Sequence, residues 1–118
     1  KKIKNVKYDL IKLLNKLKSN KKNIVGYGAA AKTTTLLNYF DLKKNTISFL
    51  VDDNSLKQNK YTPGTHIPIK ATHEIYKNNV DYIIILAWNY SSHIMKVHKR
   101  FKMSKGKFII PFPKIKIV

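Results

Sequence analysis

The chain has 118 residues and a net charge of +18, from 24 lysines and arginines against six aspartates and glutamates. That length suits one domain with a modest core, and the lack of cysteine excludes a disulfide framework and thiolate metal sites. The longest apolar run, Tyr82 to Trp88, is strand-sized and well short of the about 20 residues a membrane span requires.

The first element is an amphipathic helix. From Val6 to Lys18, Leu10, Leu13, Leu14 and Leu17 recur at helical spacing with lysines between them, and Asn20 to Lys22 end it. Asn23 to Gly26 form a short first strand. Ala29 to Tyr39 suit a helix, with Leu36, Leu37 and Phe40 apolar and a threonine run at 33–35 as its local weakness. Thr46 to Val51, "TISFLV", reads as a second strand ending on Asp52 and Asp53.

A long polar loop follows, with a turn signal at Pro63-Gly64 and an extended stretch at Pro68. Ala71 to Lys77 suggest a short helix capped by Thr72 or by the loop before it. Asp81 to Ala87, "DYIIILA", is apolar throughout, as a strand covered on both faces should be. Ser91 to Met103 return to helix, with Ile94, Val97, His98 and Phe101 on one side. Gly106 stops it, and Lys107 to Ile110 is a fourth strand closed by Pro111-Phe112-Pro113.

Strands alternating with helices imply a parallel sheet with right-handed crossovers. The expectation is an α/β fold, a small Rossmann-like three-layer domain with a mainly parallel sheet of about four strands. Counted by analogy with nucleotide-binding halves, the strand order would be 3-2-1-4 or close to it. Residues 1–118 read as one domain, with residues 1–20 a helix within it. Because the chain starts on Lys1, it is expected to be a piece of a longer polypeptide. No targeting segment is seen, and a cytoplasmic location is expected.

The stretch "NIVGYGAAAKTTTLLNYF" carries the chemistry. Gly26 followed by Ala31-Lys32-Thr33 is one residue short of a phosphate loop, where glycine must precede lysine so that the backbone can wrap an anion. Ala31 places a β-carbon there and weakens that reading. Gly26-x-Gly28-x-x-Ala31 fits the dinucleotide fingerprint, which tolerates alanine at its third position. On that pattern Gly26 permits the tight turn and Gly28 allows a close approach. The helix beginning at Ala29 points its positive end at an anion, and Asp52 or Asp53 stands where ribose hydroxyls are bound. The same turn also serves many α/β domains merely as a strand-to-helix joint, so spacing leaves both readings open.

The remaining polar residues are less specific. His93 and His98 are five apart, on different helix faces and without an acid cluster, which argues against a metal site. Glu74 is the only glutamate and has no partner acid nearby, and Ser91-Ser92-His93 lacks a third catalytic member. Trp88 leads out of the third strand at the sheet's carboxyl edge, where open α/β sheets bind ligands. It fits equally a core tryptophan closing the domain. The charge suggests nucleic acid or an anionic membrane, yet Arg100 is the only arginine and the lysines are scattered. A/T-rich codon drift accounts for such a lysine, asparagine and isoleucine bias without any ligand.

Taken in order, "IVGYGAAAK", "LLNYF", "VDDNSLKQNKYTPGTHIPI", "DYIIILAWNY" and "KFIIPFP" resemble the C-terminal domain of S-adenosylmethionine-dependent sugar C-methyltransferases. Those enzymes methylate a carbon of nucleotide-linked deoxyketosugars. The resemblance runs from about residue 5 to 118. It is most specific at Lys57-Gln58 and Tyr61-Thr62-Pro63-Gly64-Thr65-His66-Ile67-Pro68.

It implies a Rossmann-like domain that helps enclose the nucleotide-sugar and binds no cofactor itself. S-adenosylmethionine and zinc would belong to domains upstream, the partners of this one in the same polypeptide. Gly26, Tyr27, Gly28, Ala29, Lys32, Pro63, Gly64, Thr65, His66, Trp88 and Asn89 would form a substrate-facing edge, beside Asp52 from the fingerprint. The chain departs from the family at Thr33 and Asn59, where glycine is common, and at His93, where an acid is common. The resulting expectation is a substrate-positioning domain, not catalytic alone, with no metal, no membrane and no nucleic-acid partner. The alternative is a basic nucleotide- or nucleic-acid-binding module without enzymatic activity.

Overall fold

The structure, a computed structural model, describes residues 2–28, 31–43, 45–112 and 114–118. Helix α1 spans Lys2–Ser19 and lays Leu10, Leu14 and Leu17 against the sheet. It ends as the Asn20–Lys22 signal predicted: Lys21 turns left-handed, at φ 61°, and the Lys22 N–H returns to the Leu17 carbonyl at 3.0 Å. Strand β1 is Ile24–Tyr27, helix α2 is Ala31–Tyr39, and strand β2 is Leu50–Asp52. The pairing of β2 with β1 begins earlier than the strand proper, because the Ser48 N–H reaches the Ile24 carbonyl at 2.9 Å.

The long polar loop holds two strands that sequence patterning did not separate from it. They are β3, Lys60–Tyr61, and β4, Pro68–Ala71, paired antiparallel. Pro68 sits at the first position of its strand, where a missing N–H is tolerated. A 3-10 turn over Thr72–Tyr76 stands where a short helix over 71–77, capped by Thr72 or by the loop before it, was expected; its N-cap is Ala71, with no side-chain cap among the described residues. Strand β5 is Tyr82–Ile85, and a 3-10 turn over Trp88–Tyr90 leads into α3, Ser91–Val97. The expected helix 91–103 is broken at His98, so α4 is a separate piece, Lys99–Met103. Val97, expected on the packed side, is 59% exposed. Strands β6, Lys107–Ile110, and β7, Lys116–Ile117, close the chain.

Among the described residues the sheet therefore has seven strands rather than about four, in the order β3-β4-β2-β1-β5-β6-β7. Its five central strands are parallel and its two flanking strands antiparallel. The expected 3-2-1-4 order holds once β4 takes third place and β5 fourth. Taken over only the four strands read from the sequence, the order is second, first, third, fourth.

Alternation along the strands divides the apolar side chains between two faces. Ile24, Leu50, Ile84 and Leu86 meet α1 and α2 on one face. Val25, Tyr27, Val51, Ile83 and Ile85 meet the Thr72–Tyr76 turn, α3 and α4 on the other. This is the three-layer arrangement expected. Among the described residues, no helix is long and apolar enough to cross a membrane.

Candidate functional site at the carboxyl edge of the sheet

In this sheet β1 is followed in the chain by β2 on one side, whereas β5 is followed by β6 on the other. The winding reverses between β1 and β5, and loops leaving their carboxyl ends diverge to opposite faces. In doubly wound sheets such a divergence is where the ligand crevice usually opens. Gly28 leaves β1 on one side of it, and Trp88 and Asn89 follow β5 on the other.

The two fingerprint glycines have different roles. Gly26 lies inside β1 and not in a turn, with its N–H bonded to the Phe49 carbonyl at 3.0 Å. A β-carbon there would stand 2.4 Å from Leu50 Cδ2 and 2.9 Å from Leu86 Cδ1. Its smallness therefore makes room for leucine side chains from the two neighbouring strand segments. The turn falls on Gly28, whose φ of 107° is closed to ordinary side chains and whose N–H bonds the Val51 carbonyl at 2.8 Å. Ala29 lies outside the described residues. Lys32 falls in the first turn of α2, at the same end of the sheet as Gly28.

Of the two acids after β2, Asp52 works locally: its carboxylate accepts the Asn54 N–H at 2.8 Å and its carbonyl accepts the Gln58 amide at 2.8 Å. Asp53 joins a longer chain of hydrogen bonds. The Tyr27 hydroxyl lies 3.0 and 3.3 Å from the two Asp53 oxygens and 3.0 Å from His98 Nε2. The Tyr76 hydroxyl lies 2.7 Å from His98 Nδ1, and the Thr72 hydroxyl donates to Asp53. The only arginine, Arg100, stacks on the Tyr76 ring at 3.9 Å.

Burial, reinforced by the Asp53 carboxylate, holds the Tyr27 phenol well above its usual range, so it keeps its proton. Burial also lowers the pKa of His98, with Arg100 adding to the effect and Asp53 opposing it. The imidazole is thus neutral at pH 7. Tyr27, placed on the substrate-facing edge from sequence, is only 6% exposed and points into the second core. Its place is behind the edge.

Thr72, His98 and Tyr76 were not picked out as site residues. One signal for the partner of Tyr27 was present: Tyr27 and Val51 are paired and share a face, so period two puts Asp53, not Asp52, on that face. For His98 there was no comparable signal.

Beyond β5, Trp88 packs half-buried on Phe112 with ring centroids 5.0 Å apart, Asn89 is exposed, and Tyr90 is 63% exposed. Trp88 thus packs on the closing segment of the chain while standing just after β5, at the carboxyl edge of the sheet.

The Pro63-Gly64-Thr65-His66 turn does not join these residues. β3 runs antiparallel to β4, so the connection between them lies at the amino end of β4. That is the opposite edge, about 13 Å away by the rise of a four-residue strand. There the turn closes on itself. The buried Thr62 hydroxyl accepts the Ile67 N–H at 2.9 Å and meets the Thr65 hydroxyl, and Gly64 takes φ 80°. It faces the end of α2 across a groove of about 370 Å³ lined by Asn38, Asp41, Lys43 and Asn45.

The match to a family model, the C-methyltransferase C-terminal domain, runs over residues 1–113. The C-methyltransferase NovU of Streptomyces niveus is 34% identical over 113 residues, 96% of this chain but 27% of that protein. The chain therefore spans about a quarter of that relative's length. Among solved structures, UDP-D-quinovosamine 4-dehydrogenase from Vibrio fischeri superposes with a TM-score of 0.56 at 17% identity, covering 82% of this chain and 93% of that one. This likeness is one of fold alone. On the family match and the extent of identity to a C-methyltransferase, the chain belongs to the C-methyltransferase C-terminal domain family.

Proposed function

We propose that this domain is the substrate-side part of an S-adenosylmethionine-dependent sugar C-methyltransferase, positioning a nucleotide-linked deoxyketosugar and not catalytic alone. The observation that carries the reading is the crevice at the winding reversal, with the positive-φ Gly28 and the start of α2 on one side and Trp88-Asn89 on the other. A helix start favours an anion by about 0.3–1 kcal/mol per charge at an exposed site. A chain of net charge +18 attracts a diphosphate and disfavours a sulfonium donor. Those preferences support a nucleotide-sugar on this domain; on this reading the methyl donor and zinc belong to upstream domains of the same polypeptide, in the cytoplasm. Proton abstraction beside the ketone and methyl transfer then belong upstream, and this domain contributes placement, which supplies several kcal/mol of a barrier.

The test is an amide NMR titration of the chain at about 0.15 M salt with thymidine diphosphate, S-adenosylmethionine and NAD in turn. Shifts at Gly28, Asp52-Asp53 and Trp88–Tyr90 with the thymidine nucleotide alone support the proposal. Shifts there with S-adenosylmethionine or NAD instead overturn it. A nucleic-acid role would appear as oligonucleotide binding whose log–log salt slope tracks the number of phosphates contacted.

A further inference from the structure

Fixing an exposed carboxylate contributes little to stability, because water screens it and side-chain entropy opposes it. Asp53 is exposed, yet side chains from two other segments bond it directly and a third reaches it through Tyr27. Thr72 follows β4, Tyr27 ends β1, and His98 stands at the break between α3 and α4. Tyr27 and His98 are 6% and 8% exposed. Polar groups buried that deeply destabilise the fold unless all their hydrogen bonds are made.

Proton counting gives the chain a direction. Tyr27 has one hydroxyl proton for two neighbours, Asp53 and His98 Nε2. An ionised carboxylate can only accept, so that proton goes to Asp53. His98 must then donate from Nε2 to the Tyr27 oxygen, which leaves Nδ1 to accept the Tyr76 hydroxyl proton. The opposite tautomer would set the Tyr27 lone pairs against the carboxylate. The relay Tyr76 to His98 to Tyr27 to Asp53 thus ends on its most exposed member. Two hydroxyls donate to Asp53 from the protein side, and a carboxylate has about four acceptor sites, so this exposed group keeps capacity for a further donor.

We propose that Asp53 is the acceptor with which this domain reads a hydroxyl-bearing ring of its ligand, and that Tyr27, Thr72 and His98 are its positioning residues. The inference rests on the carboxyl edge being the ligand side. It adds a polarity to that edge: the anionic part of the ligand lies over Gly28 and the start of α2, and its hydroxylated ring lies toward the ends of β2 and β4. The Asp53 carboxylate disfavours phosphate at that second position.

The probes are UDP-glucose, which carries both parts, and inorganic pyrophosphate, which carries only the anion. In the 13C,15N-labelled chain, UDP-glucose is expected to shift the Asp53 carboxyl carbon together with Gly28, and pyrophosphate to shift Gly28 alone. Asp53→Asn should weaken UDP-glucose about tenfold, the scale of one hydrogen bond to a charged group, without weakening pyrophosphate. Tyr27→Phe removes one of the two hydroxyls that fix the Asp53 carboxylate, and should weaken UDP-glucose but not pyrophosphate. A merely structural Tyr27 would leave the difference between the two probes unchanged.

The 15N shifts of His98 should show the proton on Nε2. A proton on Nδ1, or an unchanged UDP-glucose affinity in Asp53→Asn while Gly28 still responds, overturns this inference and leaves the proposed function standing. No response to UDP-glucose at the carboxyl edge overturns both.

Discussion

Replacing Gly26 with alanine separates a packing glycine from a ligand glycine. The added methyl would sit 2.4 Å from Leu50 Cδ2 and 2.9 Å from Leu86 Cδ1, and both leucines are enclosed, at 0% and 2% exposure. Neither can rotate into solvent, so one must leave its rotamer or the sheet must shift. Overpacking of this kind costs about 1–3 kcal/mol. Against it stands the loss of unfolded-state freedom on Gly→Ala, about 0.4–1 kcal/mol in favour of the fold. A net destabilisation of about 1–2 kcal/mol is expected from those two ranges, a sizeable part of the 5–15 kcal/mol typical of a domain.

The mechanism is checked by a cycle with Leu50→Val, which deletes the carbon nearest the clash. Alone, that change should cost about 1 kcal/mol, on the scale of other single-methylene deletions in cores. Together the two should cost less than their sum by at least about 0.5 kcal/mol, since the valine makes room for the alanine. Denaturant midpoints of the four proteins at a common m-value give the cycle. A Gly26→Ala loss below about 0.5 kcal/mol, or additivity within error, would show that the close approach of Leu50 is not what keeps this position small.

Three further outcomes follow from single residues. Thr62→Val removes the acceptor of the buried Ile67 N–H and should cost about 1–3 kcal/mol in denaturation, whereas Thr62→Ser should restore most of it. Asn59 holds φ 64°, so Asn59→Gly should stay within about 0.5 kcal/mol of the parent while Asn59→Val loses about 1–2 kcal/mol; equal losses would contradict a backbone origin. His98 has a folded-state pKa below its unfolded value of about 6.5. The unfolded chain therefore binds the proton first, and this contribution to stability is complete above pH 6.5 and declines as pH falls through it. The drop in unfolding free energy from pH 7.5 to 5.5 should shrink in His98→Gln; an unchanged drop would assign the dependence to other groups.

The legible parts of the fold are those where a long apolar pattern met a clear stop. Leu10, Leu14 and Leu17 placed α1, and the run Ile83–Leu86 placed the central β5, because covered elements leave strong periodicity. Strand β4 was missed because only Ile69 of its four residues is fully buried and its first residue is proline, so it read as loop. The two-residue β3 and β7 carry no period at all. Within the site, the glycine turn and Trp88 were legible as lying at one sheet edge. Assignment of the turn to Gly26 was not, because spacing does not say which glycine carries the positive φ. The Pro63–His66 turn was joined to the wrong edge for a related reason: strand direction, set by the unrecognised β3–β4 hairpin, decides the end at which a loop emerges.

That hairpin bears on why the most family-specific stretch of the chain lies away from the crevice. From Thr62 to Ile67 every described interaction closes inward: the Thr62 N–H bonds the Ile67 carbonyl, the His66 N–H bonds the Thr62 carbonyl, and the Thr62 hydroxyl accepts the Ile67 N–H. Gly64 and His66 supply the positive φ values that such a tight path requires. The particular residues of this loop are accounted for by its own geometry, with Thr62 and Ile67 sealed at 1% and 0% exposure. The Asp53 cluster has the reverse form, in which buried groups are completed only by orienting one exposed acid. A buried polar network that satisfies itself rigidifies a turn, whereas one that ends on solvent has an unfilled acceptor to offer. By that criterion the proposed ligand contact falls on the less distinctive sequence at the end of β2, and the distinctive loop secures the β4 strand whose end carries Thr72.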